Sequence, residues 1–205
     1  MLKYLSLLII VLTVGVYAYG KDKRTSEVNV YDLTIEENIA YPQVPSKHSN
    51  AMIRHMDRIK QMFVKHGFTA KSLRKGEVID IVVPCRRLFL ANDTVLMPEA
   101  SKILNAFNAI VKLPQSYRVL VVVHSDISGS EKYLNELTEK RATAIDDYFS
   151  DVLPGVETNI VPYGVGSDEP AASSDSMMGR ELNRRVDFII IPEKAVIDLA
   201  KSNKL

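Results

Sequence analysis

The 205-residue chain is 46% hydrophobic and 25% charged, the composition of an ordinary globular protein with enough apolar residues for one core. Its net charge of +1 favours no nucleic-acid partner, and we predict none. With Cys85 as its single cysteine, the chain can form neither an intramolecular disulfide nor a zinc site built on paired thiolates.

The first twenty residues predict an export signal. Lys3 provides a positive start, and residues 4–19 are almost continuously apolar. This stretch is shorter than the roughly 20 residues of a membrane span and typical of a signal peptide, with cleavage after Ala18 as a suitable site. The basic residues that follow directly disfavour translocation of that flank, which leaves an uncleaved anchor open. We predict that residues 1–20 are a signal peptide or a signal anchor and that the rest of the chain is exported.

The next two segments differ in pattern. Residues 21–47 show no clear helical or strand period, and we interpret them as a polar tether. Residues 48–74 are predicted to form an amphipathic helix and a connection. The apolar stripe of this helix, within residues 49–66, consists of Met52, Met56, Ile59 and Phe63. Such a stripe suits either packing on the rest of the chain or pairing with a partner protein.

From residue 75 onwards, strands and helices alternate. The β-rich runs predict strands at 78–83, 118–123, 158–163 and 186–191. Apolar periodicity predicts one helix that starts at Pro98 and stops before Pro114, and another at about 131–149. This alternation predicts an α/β fold with a mixed or parallel sheet over residues 75–193, followed by a C-terminal tail at 194–205.

The helix at 131–149 carries a charge on its apolar face. Its inward stripe is Leu134, Leu137, Arg141, Ile145 and Tyr148. Burial of an unpaired guanidinium is costly, so Arg141 needs a protein carboxylate, a ligand anion or a route for its charged end to the surface. Asp126 lies beyond the carboxyl end of a predicted strand, where open α/β sheets bind ligands. An aspartate there also suits a helix cap or a turn.

Four motifs, in this order, resemble the signature of OmpA-like domains. The central motif runs from His124 to Ser130 and continues with Tyr133, Leu137-Thr138 and Arg141-Ala142. The others are Phe89, Asn92, Leu96, Pro98 and Glu99; Tyr163-Gly164-Val165-Gly166 with Pro170; and Gly179 to Val186. The resemblance covers about residues 75–192. It implies a β-α-β-α-β-β mixed sheet with helices on one face, preceded here by an N-terminal helix.

The resemblance implies non-covalent binding of peptidoglycan and no enzymatic activity. The family's loop aspartate and helix arginine, which correspond to Asp126 and Arg141, hold the ammonium and the carboxylate of the diaminopimelate in the stem peptide. Two opposed charges also discriminate against lysine, which lacks the second carboxylate. Further pocket residues implied by the resemblance are Phe89, Asn92, Asp93, Asn183 and Arg184. No cofactor is expected, and the four histidines suggest no metal site.

The chain departs from the family pattern at two places. Ser125 precedes Asp126 where the family usually has threonine, and Leu134 replaces the asparagine that usually follows the tyrosine. The second change removes one pocket hydrogen bond, because Asn135 points about 100° further around the helix. The alternative prediction is an envelope protein-interaction domain with weak or no wall binding. Either way, we expect a periplasmic or membrane-anchored envelope protein, with the helix at 49–66 as a candidate contact for other envelope proteins.

Overall fold

The computed structural model describes residues 28–155 and 159–205. The predicted signal segment at 1–20 and the beginning of the predicted tether therefore lie outside the described residues. Within the two described ranges, none of the helices has both the length and the apolar character needed to cross a bilayer.

The described residues contain five strands and seven α-helices. The strands are β1 (Thr69–Leu73), β2 (Val78–Pro84), β3 (Tyr117–Val123), β4 (Ile160–Gly164) and β5 (Arg185–Pro192). The helices are α1 (Ile35–Ala40), α2 (Ser49–Lys65), α3 (Ala100–Leu104), α4 (Asn108–Val111), α5 (Glu131–Val152), α6 (Met177–Asn183) and α7 (Lys194–Lys201). The four predicted strands are present within two residues of their expected bounds, whereas β1, α1, α6 and α7 were not predicted.

The strands form one mixed sheet in the order β1-β2-β5-β3-β4. β3 and β4 are parallel, and the other neighbours are antiparallel. This arrangement confirms the predicted α/β fold with a mixed sheet. The edge strand β1 was missed because Thr69–Leu73 is short, polar and largely exposed, so it carries no apolar alternation.

The larger core lies between the first face of the sheet and helices α2, α3, α4, α5 and α7. The predicted α2 stripe packs there, with Met52, Met56 and Phe63 almost completely buried. Of the two alternatives that the sequence left open, the stripe therefore packs on the rest of the chain, so any contact of α2 with a partner protein would have to use its other face. The helix predicted to start at Pro98 begins at Ala100 and is divided by a 3₁₀ turn at Asn105–Phe107.

The N-terminal segment, residues 28–48, covers part of the second face of the sheet. It contains α1, whose capping box joins Thr34 and Glu37. Ile35 and Ile39, four residues apart, pack on a second cluster of strand residues that includes Leu120. The tether prediction is therefore wrong for residues 28–47, because a helix of fewer than two turns leaves almost no periodicity to read. The expectation of helices on one face holds for the larger helices but not for α1.

Two arginines hold the carboxyl end of α1. Arg118, fully buried in β3, donates hydrogen bonds to the carbonyls of Asn38 and Tyr41 and pairs with Glu193 at 3.3 Å. Arg74 donates to the carbonyls of Ile39 and Pro42, each at 2.9 Å. The last carbonyls of a helix lack hydrogen-bond donors within the helix, and the two guanidinium groups act as donors here.

The C-terminal residues also belong to the folded unit. Residues 194–201 form α7, which buries Val196, Ile197 and Ala200 in the larger core. The prediction of a tail at 194–205 is therefore wrong over this helix. Its apolar residues recur at helical spacing, but the segment follows the last predicted strand and is only two turns long.

Candidate functional site

A cavity of about 340 Å³ opens at the carboxyl end of β3. Three parts of the chain form it: the loop after β2, the loop between β3 and α5 with the first turns of α5, and the end of α6. Five of the predicted site residues line this cavity, namely Phe89, Asn92, Asp126, Arg141 and Arg184. The fold therefore brings together the two residues, Asp126 and Arg141, on which the predicted binding site depends.

Asp126 is the acidic group of the cavity, and only 4% of its surface is exposed. Its Oδ1 accepts a hydrogen bond from the backbone N–H of Ser128 at 2.7 Å, and its Oδ2 pairs with Nη1 of Arg184. Burial alone raises the pKa of this carboxyl, but the hydrogen bonds from Ser128 and the charge of Arg184 bring the pKa below its ordinary value. The Asp126 side chain is therefore ionised at neutral pH.

Arg141 reaches the cavity from the buried face of α5. Its Nε donates to the carbonyl of Asp93 at 2.8 Å and its Nη2 to the carbonyl of Leu90 at 3.0 Å. The guanidinium also lies 4.9 Å from the centre of the Phe89 ring, within range of a cation–π interaction. The hydrogen-bond partners of this buried guanidinium are therefore backbone carbonyls. Neither of these two hydrogen bonds uses its Nη1 group.

Two predicted site residues do not line the cavity. Asp93 uses its side chain to accept hydrogen bonds from the N–H groups of Thr94 and Val95, which shapes the loop that Arg141 holds. The buried Asn183 side chain donates to the carbonyl of Ala172 and accepts from the N–H of the same residue, each at 2.9 Å. Both residues therefore support loops around the cavity.

The cavity rim contains a chain of charges that the sequence did not reveal. Arg184 Nη2 donates to Glu181 at 2.7 Å, and Arg86 Nε donates to the other oxygen of Glu181 at 2.6 Å. With the Asp126 contact, four alternating charges run from the exposed rim into the cavity. Glu181 and Arg184 are three residues apart, but α6 was not predicted, and Arg86 lies far away in sequence.

The substitution at Leu134 makes part of the cavity wall apolar. Leu134 lines the cavity and is 4% exposed, so an apolar side chain lies at that position. Asn135 instead lies against Gly166, where a Cβ would overlap its side-chain oxygen. The amide one residue later therefore faces the glycine turn and supplies no group to the cavity.

Cys85 forms part of the cavity wall, and burial raises the pKa of its thiol to about 11. The thiol is therefore protonated at neutral pH and is a poor nucleophile. Over residues 28–155 and 159–205, no group of histidine, cysteine, aspartate and glutamate side chains is arranged to hold a metal ion.

A second polar cluster lies on the second face of the sheet. Asp187 accepts a hydrogen bond from Arg185 at 3.0 Å, and its carboxylate lies 3.2 Å from Nε2 of His124. Asp80 is almost completely buried nearby, 3.8 Å from Nζ of the more exposed Lys71. Burial, followed by the charge of Asp187, raises the pKa of Asp80 to about 7.

Comparison with known proteins agrees with this fold. Residues 88–184 match the OmpA family, and this part of the chain is an OmpA-like domain. The chain is 34% identical over 96 residues to the peptidoglycan-binding protein ArfA of Mycobacterium tuberculosis, an alignment that covers 46% of this chain and 29% of that protein. It is 29% identical over 112 residues to outer membrane protein A of Bordetella avium, covering 54% of this chain and 57% of the relative. The chain thus spans less than two thirds of either relative.

A solved structure shows the same fold. A MotB-like protein from Desulfovibrio vulgaris superposes with a TM-score of 0.60 at 21% identity, over 70% of this chain and 96% of that chain. The match extends beyond residues 88–184, which agrees with the additional strand and helices around the OmpA-like domain.

Proposed function

We propose that this protein binds peptidoglycan non-covalently in the cell envelope and recognises the diaminopimelate of the stem peptide. The observation that carries the proposal is the shared cavity of Asp126 and Arg141, two opposite charges within an OmpA-like domain. The peptidoglycan-binding name of the ArfA relative supports the ligand class. We also propose that the domain lies in the periplasm, is exported by the segment at 1–20, and catalyses no reaction.

The chemistry of the cavity suits a ligand that carries both charges. Asp126, ionised and mostly withdrawn from water, accepts hydrogen bonds from an ammonium group. Arg141, whose guanidinium lines the same cavity, is a cation placed to donate to a carboxylate, and the half-exposed Arg184 is a second one. The side chain of diaminopimelate presents an ammonium and a carboxylate on one carbon, whereas the side chain of lysine presents only the ammonium.

A binding measurement with Asp126→Asn tests the proposal. Asparagine keeps the shape and the bond from Ser128 but loses the charge, so affinity for the tripeptide L-Ala-γ-D-Glu-meso-diaminopimelate should fall by about ten-fold or more, as expected for a charged hydrogen bond. Calorimetry of the purified exported chain with this tripeptide, and co-sedimentation with isolated sacculi, are the measurements.

The matched control is Asp198→Asn, which removes the same charge from the exposed surface of α7. This helix follows the carboxyl end of β5, whereas Arg184 precedes the other end of that strand. We expect the control to bind like the wild type. If the wild type binds neither probe, or if Asp126→Asn binds as tightly as the wild type, the proposed function is wrong. In that case, retention by envelope proteins without sacculi would favour a protein-interaction domain.

A further inference from the structure

The contacts of Arg184 show that the acidic group of the cavity is occupied before any ligand arrives. Arg184 Nη1 pairs with Asp126 while its Nη2 donates to Glu181. The Asp126 side chain is 5% exposed and that of Arg184 is 41% exposed. The arginine is thus the member of the pair that has room to move, and a ligand ammonium must compete with it for the same carboxylate.

Glu181 is placed to receive Arg184 when it leaves Asp126. One carboxylate oxygen of Glu181 holds Arg184 and the other holds Arg86. The pKa of Arg184 is raised, first by its hydrogen bond to Glu181 and to a lesser extent by Asp126. An arginine that loses Asp126 therefore keeps a negatively charged partner, which lowers the free-energy cost of displacing it.

We infer that Glu181 is a positioning residue that determines how strongly Arg184 occupies Asp126, and thereby sets the affinity of the cavity for a ligand ammonium group. Arg86 opposes this effect, because it competes with Arg184 for the charge of Glu181. The four side chains carry two positive and two negative charges, so the network is neutral until one member is changed. This inference rests on the proposed function, since it concerns the same cavity.

Two variants should change affinity in opposite directions. Glu181→Gln leaves Arg184 with Asp126 as its anionic partner, so the carboxylate of Asp126 is more firmly occupied and affinity for the diaminopimelate tripeptide should fall. Arg86→Gln frees the charge of Glu181 for Arg184, so affinity should rise. Since exposed ion pairs contribute little, each change should be about two- to five-fold. Calorimetry at fixed ionic strength measures both, with Asp198→Asn as the control for the loss of one carboxylate.

A third variant separates positioning through Arg184 from a general change in the electrostatic field. In an Arg184→Met background, Glu181→Gln should change affinity by much less than it does in the wild type, because the residue through which it acts is absent. Circular dichroism and thermal unfolding of each variant report whether the fold is intact.

The outcomes distinguish this inference from the function on which it rests. If the wild type binds neither the tripeptide nor isolated sacculi, both are wrong. If it binds sacculi but not the tripeptide, the positioning role is wrong together with diaminopimelate recognition, whereas binding to the wall stands. If the wild type binds but Glu181→Gln and Arg86→Gln shift affinity in the same direction, or not at all, only the positioning role is wrong. The same conclusion follows if Glu181→Gln keeps its full effect in the Arg184→Met background.

Discussion

Asp80 is a single residue whose charge state depends on the whole sheet around it. It lies opposite Lys71 of β1 and beside β5, which contributes Arg185 and Asp187. His124, directly after β3, completes the cluster through its contact with Asp187. Burial and the charge of Asp187 raise its pKa to about 7, although Lys71 and Arg185 act against this. In the unfolded chain the same carboxyl has a pKa of about 3.9. The folded state therefore keeps a proton that the unfolded chain releases between about pH 4 and pH 7.

The sign of the resulting pH dependence follows from proton linkage. Because the folded state binds more protons in this window, the contribution of Asp80 to the free energy of unfolding is largest below pH 4 and declines as pH rises towards 7. Asp80→Asn, which is neutral at every pH, should therefore raise Tm at pH 8 by roughly 2–4 °C, equivalent to about 1 kcal/mol for a protein of this size.

Thermal unfolding at pH 5 and pH 8 checks this prediction. The gain from Asp80→Asn should shrink at pH 5, where Asp80 is already protonated. Asp198→Asn is the matched control, because Lys194 and Lys201 lower the pKa of Asp198 to about 2. That variant should give no increase in Tm at pH 8. A lower Tm for Asp80→Asn at pH 8 would contradict the prediction, because it would mean that the ionised carboxylate of Asp80 stabilises the folded state.

At the scale of single residues, the sequence located charges but not their partners. Arg141 was predicted to be buried because its position on a helical stripe is readable from spacing alone. Its partners are the carbonyls of Leu90 and Asp93, and a backbone carbonyl has no residue-type signal. For the same reason the sequence could not show that the Asn183 side chain is hydrogen-bonded to the backbone of Ala172 and lies outside the cavity.

At the scale of secondary-structure elements, the close contact between β4 with its following turn and α5 depends on two glycines. A Cβ at Gly164 would overlap the backbone of Glu139 in α5, so this strand end approaches the helix more closely than any side chain allows. The N–H of Gly166, whose φ is +54°, donates to the hydroxyl of Thr138 at 2.9 Å. The glycine turn thereby fixes the part of α5 that lies between Leu134 and Arg141, two of the α5 residues on the cavity wall.

Gly164→Ala should therefore destabilise the protein by about 1–3 kcal/mol, the range for an overpacked site. Urea unfolding measures the change. Gly67→Ala is the comparison, because a Cβ there meets nothing within 4 Å and only its φ of +81° is unfavourable. Gly67→Ala should have the smaller effect, of about 1 kcal/mol. The close-approach argument fails if the order of the two effects is reversed.

Helices were predicted correctly from the sequence where their apolar repeat extends over several turns. α2 and α5 each span several turns with an apolar stripe, and both were predicted close to their observed bounds. The short helices α1, α6 and α7 contain between six and eight residues, so each shows only one or two repeats of its period. Their positions depend on tertiary packing, which outweighs local pattern in such short elements.

At the scale of the whole molecule, the N-terminal segment joins distant parts of the sheet. The Asn38 side chain donates to the carbonyl of Val30 at 2.9 Å and to the hydroxyl of Tyr163 in β4 at 2.7 Å. Tyr163 in turn donates to the carbonyl of Leu33 at 2.7 Å. Residues at the start of the described chain are thus fastened to the strand that carries the glycine turn.

Asn38→Ala should lower the free energy of unfolding by about 1–3 kcal/mol, because it leaves buried hydrogen-bonding groups without their partner. Hydrogen exchange should show the loss of protection in residues 28–48 first. Tyr163→Phe removes the hydroxyl from the same network, so the two changes should be less than additive in a double-mutant cycle. Additive effects would mean that the side chains act independently and do not share the contact.

Arg184 and Arg185 are adjacent, yet they serve opposite sides of the sheet. Arg184 reaches the cavity, whereas Arg185 belongs to the buried cluster with Asp187. Successive residues of a strand alternate between faces, so a shift of β5 by one residue would exchange the two guanidinium groups. β5 pairs with strands on both of its sides, which fixes its register. Correct alignment of this central strand is therefore a condition for the charge pattern of the cavity, because a shifted strand would bring a different side chain to the carboxylate of Asp126.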